Sequence, residues 1–199
     1  MDCLLQVENL SFSYPGKTLV SDLSFTINTN DRLLVTGPNG SGKTTLLKLI
    51  LGNLKPTGGR ITKAPGLRIA YCKQDFPNLD FPISAGEVVR MGLYGQKVGK
   101  AEDIARRAME KTNCLHLEKR LFPSLSGGER QRVSLARCLC QNAQIVLLDE
   151  PSSFLDSESE QTLIEIMSSL QDSSFAIIAV THDSAITEAL KWKQLRMGL

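Results

Sequence analysis

The chain has 199 residues and a mass of 21.9 kDa, with 42% hydrophobic and 22% charged residues, which fits one large domain, or a domain with a subdomain, around a sizeable core. A formal net charge of +2 and the lack of any lysine or arginine run argue against a nucleic-acid partner. No apolar run approaches the ~20 residues that span a bilayer, and no basic–apolar–small-residue leader is present, so any membrane role is expected to run through a partner.

Residues 3 to 30 alternate as strands do. Leu5-Gln6-Val7 leads to Leu10, Phe12 and Tyr14, Pro15-Gly16 makes a turn, and Leu23-Ser24-Phe25-Thr26-Ile27 follows with period two before Asn28-Thr29-Asn30-Asp31. The pattern predicts short strands joined by turns in an antiparallel layer. Tyr14 sits at the edge of a turn, where its ring serves either half-buried packing or stacking on a nucleobase.

Gly37-Pro38-Asn39-Gly40-Ser41-Gly42-Lys43-Thr44 reads G-x-x-x-x-G-K-T between the apolar run Leu33-Leu34-Val35 and the helix-like Leu46-Leu47-Lys48-Leu49-Ile50-Leu51. Strand, glycine-rich turn and helix is the setting that makes this pattern a phosphate site. The turn aims backbone N–H groups at a polyphosphate, and the helix N-terminus adds partial positive charge. Lys43 can reach the β- and γ-phosphates, and the Thr44 hydroxyl can ligate Mg²⁺.

Gly52-Asn53 ends that helix with a left-handed cap. Lys55-Pro56-Thr57-Gly58-Gly59 turns the chain, Arg60-Ile61-Thr62 and Leu67-Arg68-Ile69-Ala70-Tyr71 predict two strands, and Gln74 lies just past the second. From Phe76 to Leu125, scattered Pro and Gly separate helix-like stretches at Glu87-Val88-Val89-Arg90-Met91 and from Ala101 to Cys114, which predicts a small inserted helical subdomain. Further on, Val133, Leu135, Ala136 and Leu139 mark one face of a helix whose other face carries Arg130, Gln131, Arg132 and Arg137. Ile145-Val146-Leu147-Leu148 and Phe175-Ala176-Ile177-Ile178-Ala179-Val180 read as buried parallel strands, with a helix through Leu163–Met167 between them. Ala185 to Lys191 is helical, and Gln194-Leu195-Arg196-Met197 predicts a last edge strand. Cys3, Cys72, Cys114, Cys138 and Cys140 form no C-x-x-C pair. Cys138 and Cys140, two apart in a helix, point to different faces, and the set reads as buried reduced thiols in a reducing cytosol.

The two buried strands end in Asp149-Glu150 and His182, at the edge of a parallel sheet where ligands bind. Asp149 can hold Mg²⁺, Glu150 can orient and polarise a water, and His182 gains a geometric reason to face the γ-phosphate. Leu125-Ser126-Gly127-Gly128-Glu129 opens a helix with a serine and two glycines, either a second anion-binding nest or a plain cap by Ser126.

In order and approximate spacing, Gly37–Thr44, Gln74, Leu125–Glu129 followed by Arg130-Gln131-Arg132, Ile145–Pro151, Ser153-Phe154-Leu155-Asp156 and His182 resemble an ATP-binding cassette (ABC) ATPase over nearly the whole chain. The resemblance implies an α/β P-loop NTPase with an antiparallel β subdomain, its core formed by residues 1–75 and 126–199, and an inserted α-helical subdomain at about 76–125. It implies ATP and Mg²⁺ as ligands, with the phosphates held by Gly37, Pro38, Asn39, Gly40, Ser41, Gly42, Lys43, Thr44 and Thr45. Mg²⁺ falls to Thr44, Gln74 and Asp149. Tyr14 matches the adenine-stacking aromatic, Gln74 the glutamine that contacts Mg²⁺ and couples to the partner, and Glu150 the catalytic base. Asp156 matches a residue signalling across a dimer, and His182 the switch histidine on the γ-phosphate.

Two such cassettes pair head to tail, so Ser126, Gly127 and Gly128 of one close over ATP held by the other. Lys73, where many relatives have proline, and Phe154, where alanine or glycine is usual, depart from the pattern. The segment Asp75-Phe76-Pro77-Asn78-Leu79-Asp80-Phe81-Pro82-Ile83-Ser84, with Glu87-Val88-Val89-Arg90-Met91-Gly92 after it, is similar to the permease-facing region of bacterial zinc, manganese and iron importers. That similarity implies metal-ion import by a homodimer on a membrane permease, with an extracytoplasmic solute-binding protein in the complex. The chain would then be cytoplasmic, peripheral on the inner face of the membrane. The ATPase of a compact exporter, such as a haem exporter, or a soluble non-transport cassette is the alternative. DNA-maintenance cassettes fit poorly, because the insert is too short and interrupted for their long coiled coil.

Overall fold

The computed structural model describes residues 2–73, 81–95, 99–171 and 173–198. In chain order its elements begin β1 (Cys3–Tyr14), β2 (Lys17–Asn28), β3 (Arg32–Thr36), α1 (Lys43–Leu51), β4 (Gly58–Lys63) and β5 (Ile69–Cys72). Then come α2 (Ala85–Arg90), α3 (Ala101–Lys111), α4 (Gly127–Leu139), β6 (Ile145–Asp149), α5 (Ser157–Ser169), β7 (Ala176–Thr181), α6 (Ser184–Leu190) and β8 (Lys193–Arg196).

Pro15-Gly16 turns β1 back onto β2, and β4 pairs with the other edge of β1, giving an antiparallel sheet in the order β2-β1-β4. Where the sequence pattern reads as several short strands, the structure has two strands of 12 residues each. The period-two pattern breaks because Asn9 and Asp22 sit at bulges with φ of 48°, joined by an Asn9 Nδ2 to Asp22 Oδ1 hydrogen bond of 2.8 Å. Pairing continues through the break.

The second sheet has the order β5-β6-β7-β3-β8, and every neighbouring pair is parallel. β6 and β7 are buried along their whole length because both faces are covered, which is why they read as unbroken apolar runs. Ile145, Leu147, Ile178 and Val180 face α1 and the antiparallel sheet. Val146, Leu148, Ile177 and Ala179 pack against α4, α5 and α6 through Leu135, Leu163 and Ile186. A third cluster joins α2, α3 and the far side of α4 through Val88, Met109, Phe122 and Val133.

Helix α4 is therefore packed on two sides. The charged face expected for it is not solvent-facing throughout: Gln131 is buried beside Cys72, and Arg130, Arg132 and Arg137 are half-buried. Cys138 and Cys140 do belong to different clusters. Four cysteines are buried, but Cys3, at the start of β1, is exposed. Cys72 and Cys138 meet between β5 and α4, where their shared hydrogen bond and burial push the Cys72 thiol well above its ordinary range. Among the described residues, no helix is long and apolar enough to cross a membrane.

Candidate functional site

The strand order brings three loops side by side at the carboxyl ends of the parallel strands. Register pairs Thr36 with Thr181 and Asp149 with Val180, so the turn after β3, the acidic pair after β6 and His182 after β7 share one edge. Gly42 caps α1 in a left-handed conformation with no side-chain cap bond, and a Cβ there would meet the Leu19 carbonyl at 2.6 Å. Only glycine fits that corner, which leaves the first turn of α1 open to an anion.

Lys43 is buried, and its Nζ reaches Gly37 O at 2.8 Å, Pro38 O at 3.1 Å and Glu150 Oε1 at 3.2 Å. The other oxygen of Glu150 lies 2.7 Å from His182 Nδ1. Glu150 itself has φ of 47° and donates its N–H to Val180 O, a sparsely populated backbone state held by the neighbouring strand. Thr44 Oγ1 donates to Asp149 Oδ1 at 2.8 Å. Farther out, the Ser152 hydroxyl donates to Asp183 Oδ2 at 2.9 Å and ties the loop after Glu150 to the loop after His182.

A cleft of about 420 Å³ opens over this cluster, lined by Tyr14, Lys17, Asn39, Gly40, Gly42, Lys43, Thr44, Thr45 and Glu150 among others. The Tyr14 and Phe12 rings form a T-shaped pair with centroids 5.0 Å apart, and Tyr14 remains 47% exposed at the rim of the cleft. A hydroxyl 2.8 Å from a buried carboxylate is the hard-oxygen donor set that suits Mg²⁺.

Ser126, Gly127, Gly128 and Asp156 do not line this cleft. Ser126 caps α4 in a reciprocal box: Ser126 N donates to Glu129 Oε2 at 2.8 Å, and Glu129 N donates to Ser126 Oγ at 3.3 Å. Asp156 caps α5 through Ser159 N at 2.8 Å, a bond that holds its carboxyl below the usual range. Phe154 is 90% exposed with φ of 66°, and its carbonyl lies over Gly127. Gln74 and Asp75–Asp80 lie outside the described residues. Sequence reasoning passed over Tyr71, whose hydroxyl donates to Asp149 Oδ2 at 2.7 Å. The signal lay in strand alternation, since Tyr71 pairs with Leu147 and so shares a sheet face with Asp149.

A glycine-rich loop, its lysine and threonine, and a strand-end Asp-Glu pair on a parallel sheet define a P-loop nucleoside triphosphatase. The chain belongs to the ABC transporter family, whose sequence profile matches residues 20–153, and it is an ATP-binding cassette of the ATPase type. It is 34% identical over 188 residues to the zinc import ATP-binding protein ZnuC of Hydrogenovibrio crunogenus, covering 90% of this chain and 73% of that protein. It is 34% identical to the manganese transport system ATP-binding protein MntB of Bacillus subtilis, covering 92% of this chain and 79% of that one. The hemin import ATP-binding protein HmuV of Rhizobium johnstonii is 35% identical, with 92% and 77% covered. Among solved structures, a metal-chelate type ABC transporter in an inward-facing conformation superposes with a TM-score of 0.87 at 32% identity, covering 100% of this chain and 80% of that one.

Proposed function

We propose that this chain hydrolyses ATP as the cassette of an ABC importer, working as a dimer under a membrane permease and carrying a metal ion or metal chelate. The observation that carries the reading is the Lys43–Glu150–His182 cluster at the mouth of the glycine-rich loop. Lys43 binds the β- and γ-phosphates in place of its present carbonyl partners, and its departure frees Glu150 Oε1. Glu150 then orients and polarises water for in-line attack, and His182 fixes the carboxylate from the adjoining strand. Tyr14 stacks on the adenine, and the N–H groups of the loop, from Gly40 to Thr45, hold the phosphates. Thr44 and Asp149, and by the family resemblance Gln74, would hold Mg²⁺, which would supply positive charge to the polyphosphate. Electrostatic positioning carries most of the rate.

Ser126, Gly127, Gly128 and Asp156 sit off the cleft of their own chain, and this supports a head-to-tail dimer in which they complete the partner's site. The helical subdomain at about 76–125 carries the motion to the permease. Phe81, Met91 and Tyr94 are exposed, and a groove of about 450 Å³ runs between Met91–Tyr94 and the β5 edge at Arg68 and Ile69. We assign the permease to that groove, which places the chain on the inner face of the membrane, with a solute-binding protein on the far side. The importers named above are the support for zinc, manganese or haemin as cargo. Glu150→Gln is the test: ATP binding should persist, turnover should nearly vanish, and a dimer should accumulate with ATP. Parental turnover in that variant would refute the assignment of the base.

A further inference from the structure

Both oxygens of the Asp149 carboxylate are committed. Oδ1 accepts from Thr44 at 2.8 Å and Oδ2 accepts from the Tyr71 hydroxyl at 2.7 Å, while Asp149 is 3% exposed. A buried carboxylate with one donor on each oxygen cannot rotate without leaving a donor and an acceptor unpaired, which is costly away from water. The two donors come from different elements, Thr44 from the first turn of α1 and Tyr71 from β5, the edge strand on the far side of β6. Tyr71 is anchored in turn, since its ring packs with the apolar cluster around α1.

We infer that Tyr71 is a positioning residue for the divalent cation: its hydroxyl fixes the plane of the Asp149 carboxylate so that Oδ1 stays with the Thr44 hydroxyl, where Mg²⁺ would be held. This rests on the nucleotide-site reading above. With the phenol gone, Oδ2 loses its donor, the carboxylate is free to turn, and the paired oxygens of Thr44 and Asp149 lose their fixed spacing. A ring that only filled space would make no such difference, because phenylalanine fills the same space.

The test is Tyr71→Phe in the full chain, read by Mn²⁺ titration with ATP followed by electron paramagnetic resonance, beside ATP binding in EDTA and thermal melting without ligand. The inference predicts that Mn²⁺ affinity in the ATP complex falls about tenfold, the effect of one lost hydrogen bond to a charged group. ATP affinity in EDTA should stay within about twofold of the parent. Equal Mn²⁺ affinity in parent and variant, whatever the melting temperature, would overturn the positioning role and leave the nucleotide site standing. A parent chain with no ATP-dependent Mn²⁺ site would overturn both.

Discussion

His182 Nδ1 lies 2.7 Å from Glu150 Oε2, and the second oxygen of Glu150 reaches Lys43 at 3.2 Å. The residues stand at the ends of adjacent parallel strands, and the Glu150 N–H is bonded to the β7 carbonyl of Val180. The carboxylate is thus held at both oxygens and through its own backbone. On the proposed reading, Glu150 and His182 act as one unit in hydrolysis, and removing either should disable the other.

Glu150→Gln and His182→Ala are each expected to lower turnover by about 10²-fold or more, with ATP binding kept within a few-fold. Glu150→Gln/His182→Ala should be little slower than the worse single variant. Steady-state phosphate release from the three proteins decides it. If the double variant shows the product of the two losses, the residues act independently.

Gly128 sits where α4 and α5 touch, and a Cβ there would meet Ser159 Oγ at 2.3 Å and Ser159 Cβ at 2.6 Å. Turning the Ser159 hydroxyl away cannot relieve the second contact. Gly128→Ala should cost about 1–3 kcal/mol by overpacking. The loss should shrink in a Ser159→Gly background, even though glycine in α5 costs about 1 kcal/mol by itself. Urea denaturation of the four chains gives the coupling, and an additive result would mean that the helices separate freely.

Arg32, which opens β3, is a structural clasp that the sequence pattern does not mark. Its guanidinium donates to Phe175 O at 2.6 Å and to Leu170 O at 2.7 Å, with Ser173 O at 3.1 Å, so it satisfies carbonyls where α5 ends and β7 begins. Arg32→Met keeps the aliphatic stem and removes the donors. A loss of about 2–3 kcal/mol is expected, or roughly 5–10 °C in melting temperature for a chain of this size. A melting temperature equal to the parent's would show that water replaces the guanidinium at no cost.

Local physics made most of the fold legible. Ile145–Leu148 and Phe175–Val180 read as buried strands because apolar runs mark strands covered on both faces, and Gly52 reads as a left-handed cap because glycine takes that conformation without steric cost, with φ of 88° in the structure. The long β1–β2 hairpin was harder to read, since the bulges at Asn9 and Asp22 shift the alternation that marks a strand. Lys43 and Thr44 were readable as candidates from the glycine spacing of Gly37–Thr44 between a strand and a helix, and Asp149, Glu150 and His182 because they end or follow buried apolar runs. Tyr71 was not, since its hydroxyl matters only once β5 is known to lie beside β6. The structure closes two capping boxes, at Ser84–Glu87 and Ser126–Glu129, where the sequence reading reaches only a cap by Ser126.

The second of those boxes sets an acid limit on α4. Glu129 accepts from Ser126 N at 2.8 Å and pairs with Arg120 at 2.6 Å, and the Ser126 backbone bond, with the Arg120 charge, holds its carboxyl below the ordinary value of 4.5. A depressed folded pKa means that the unfolded chain takes up the proton first. The box therefore stabilises fully above about pH 4.5 and loses its contribution as pH falls through the lower folded value. Glu129→Gln cannot carry the charge at any pH. Its stability should lie about 1 kcal/mol below the parent's near pH 7, and the two should converge as pH falls below 4.5 and through the lower folded value. Urea midpoints across that range make the comparison, and a gap that persists at the acid end would mean that the carboxylate charge is not what closes the N-terminus of α4.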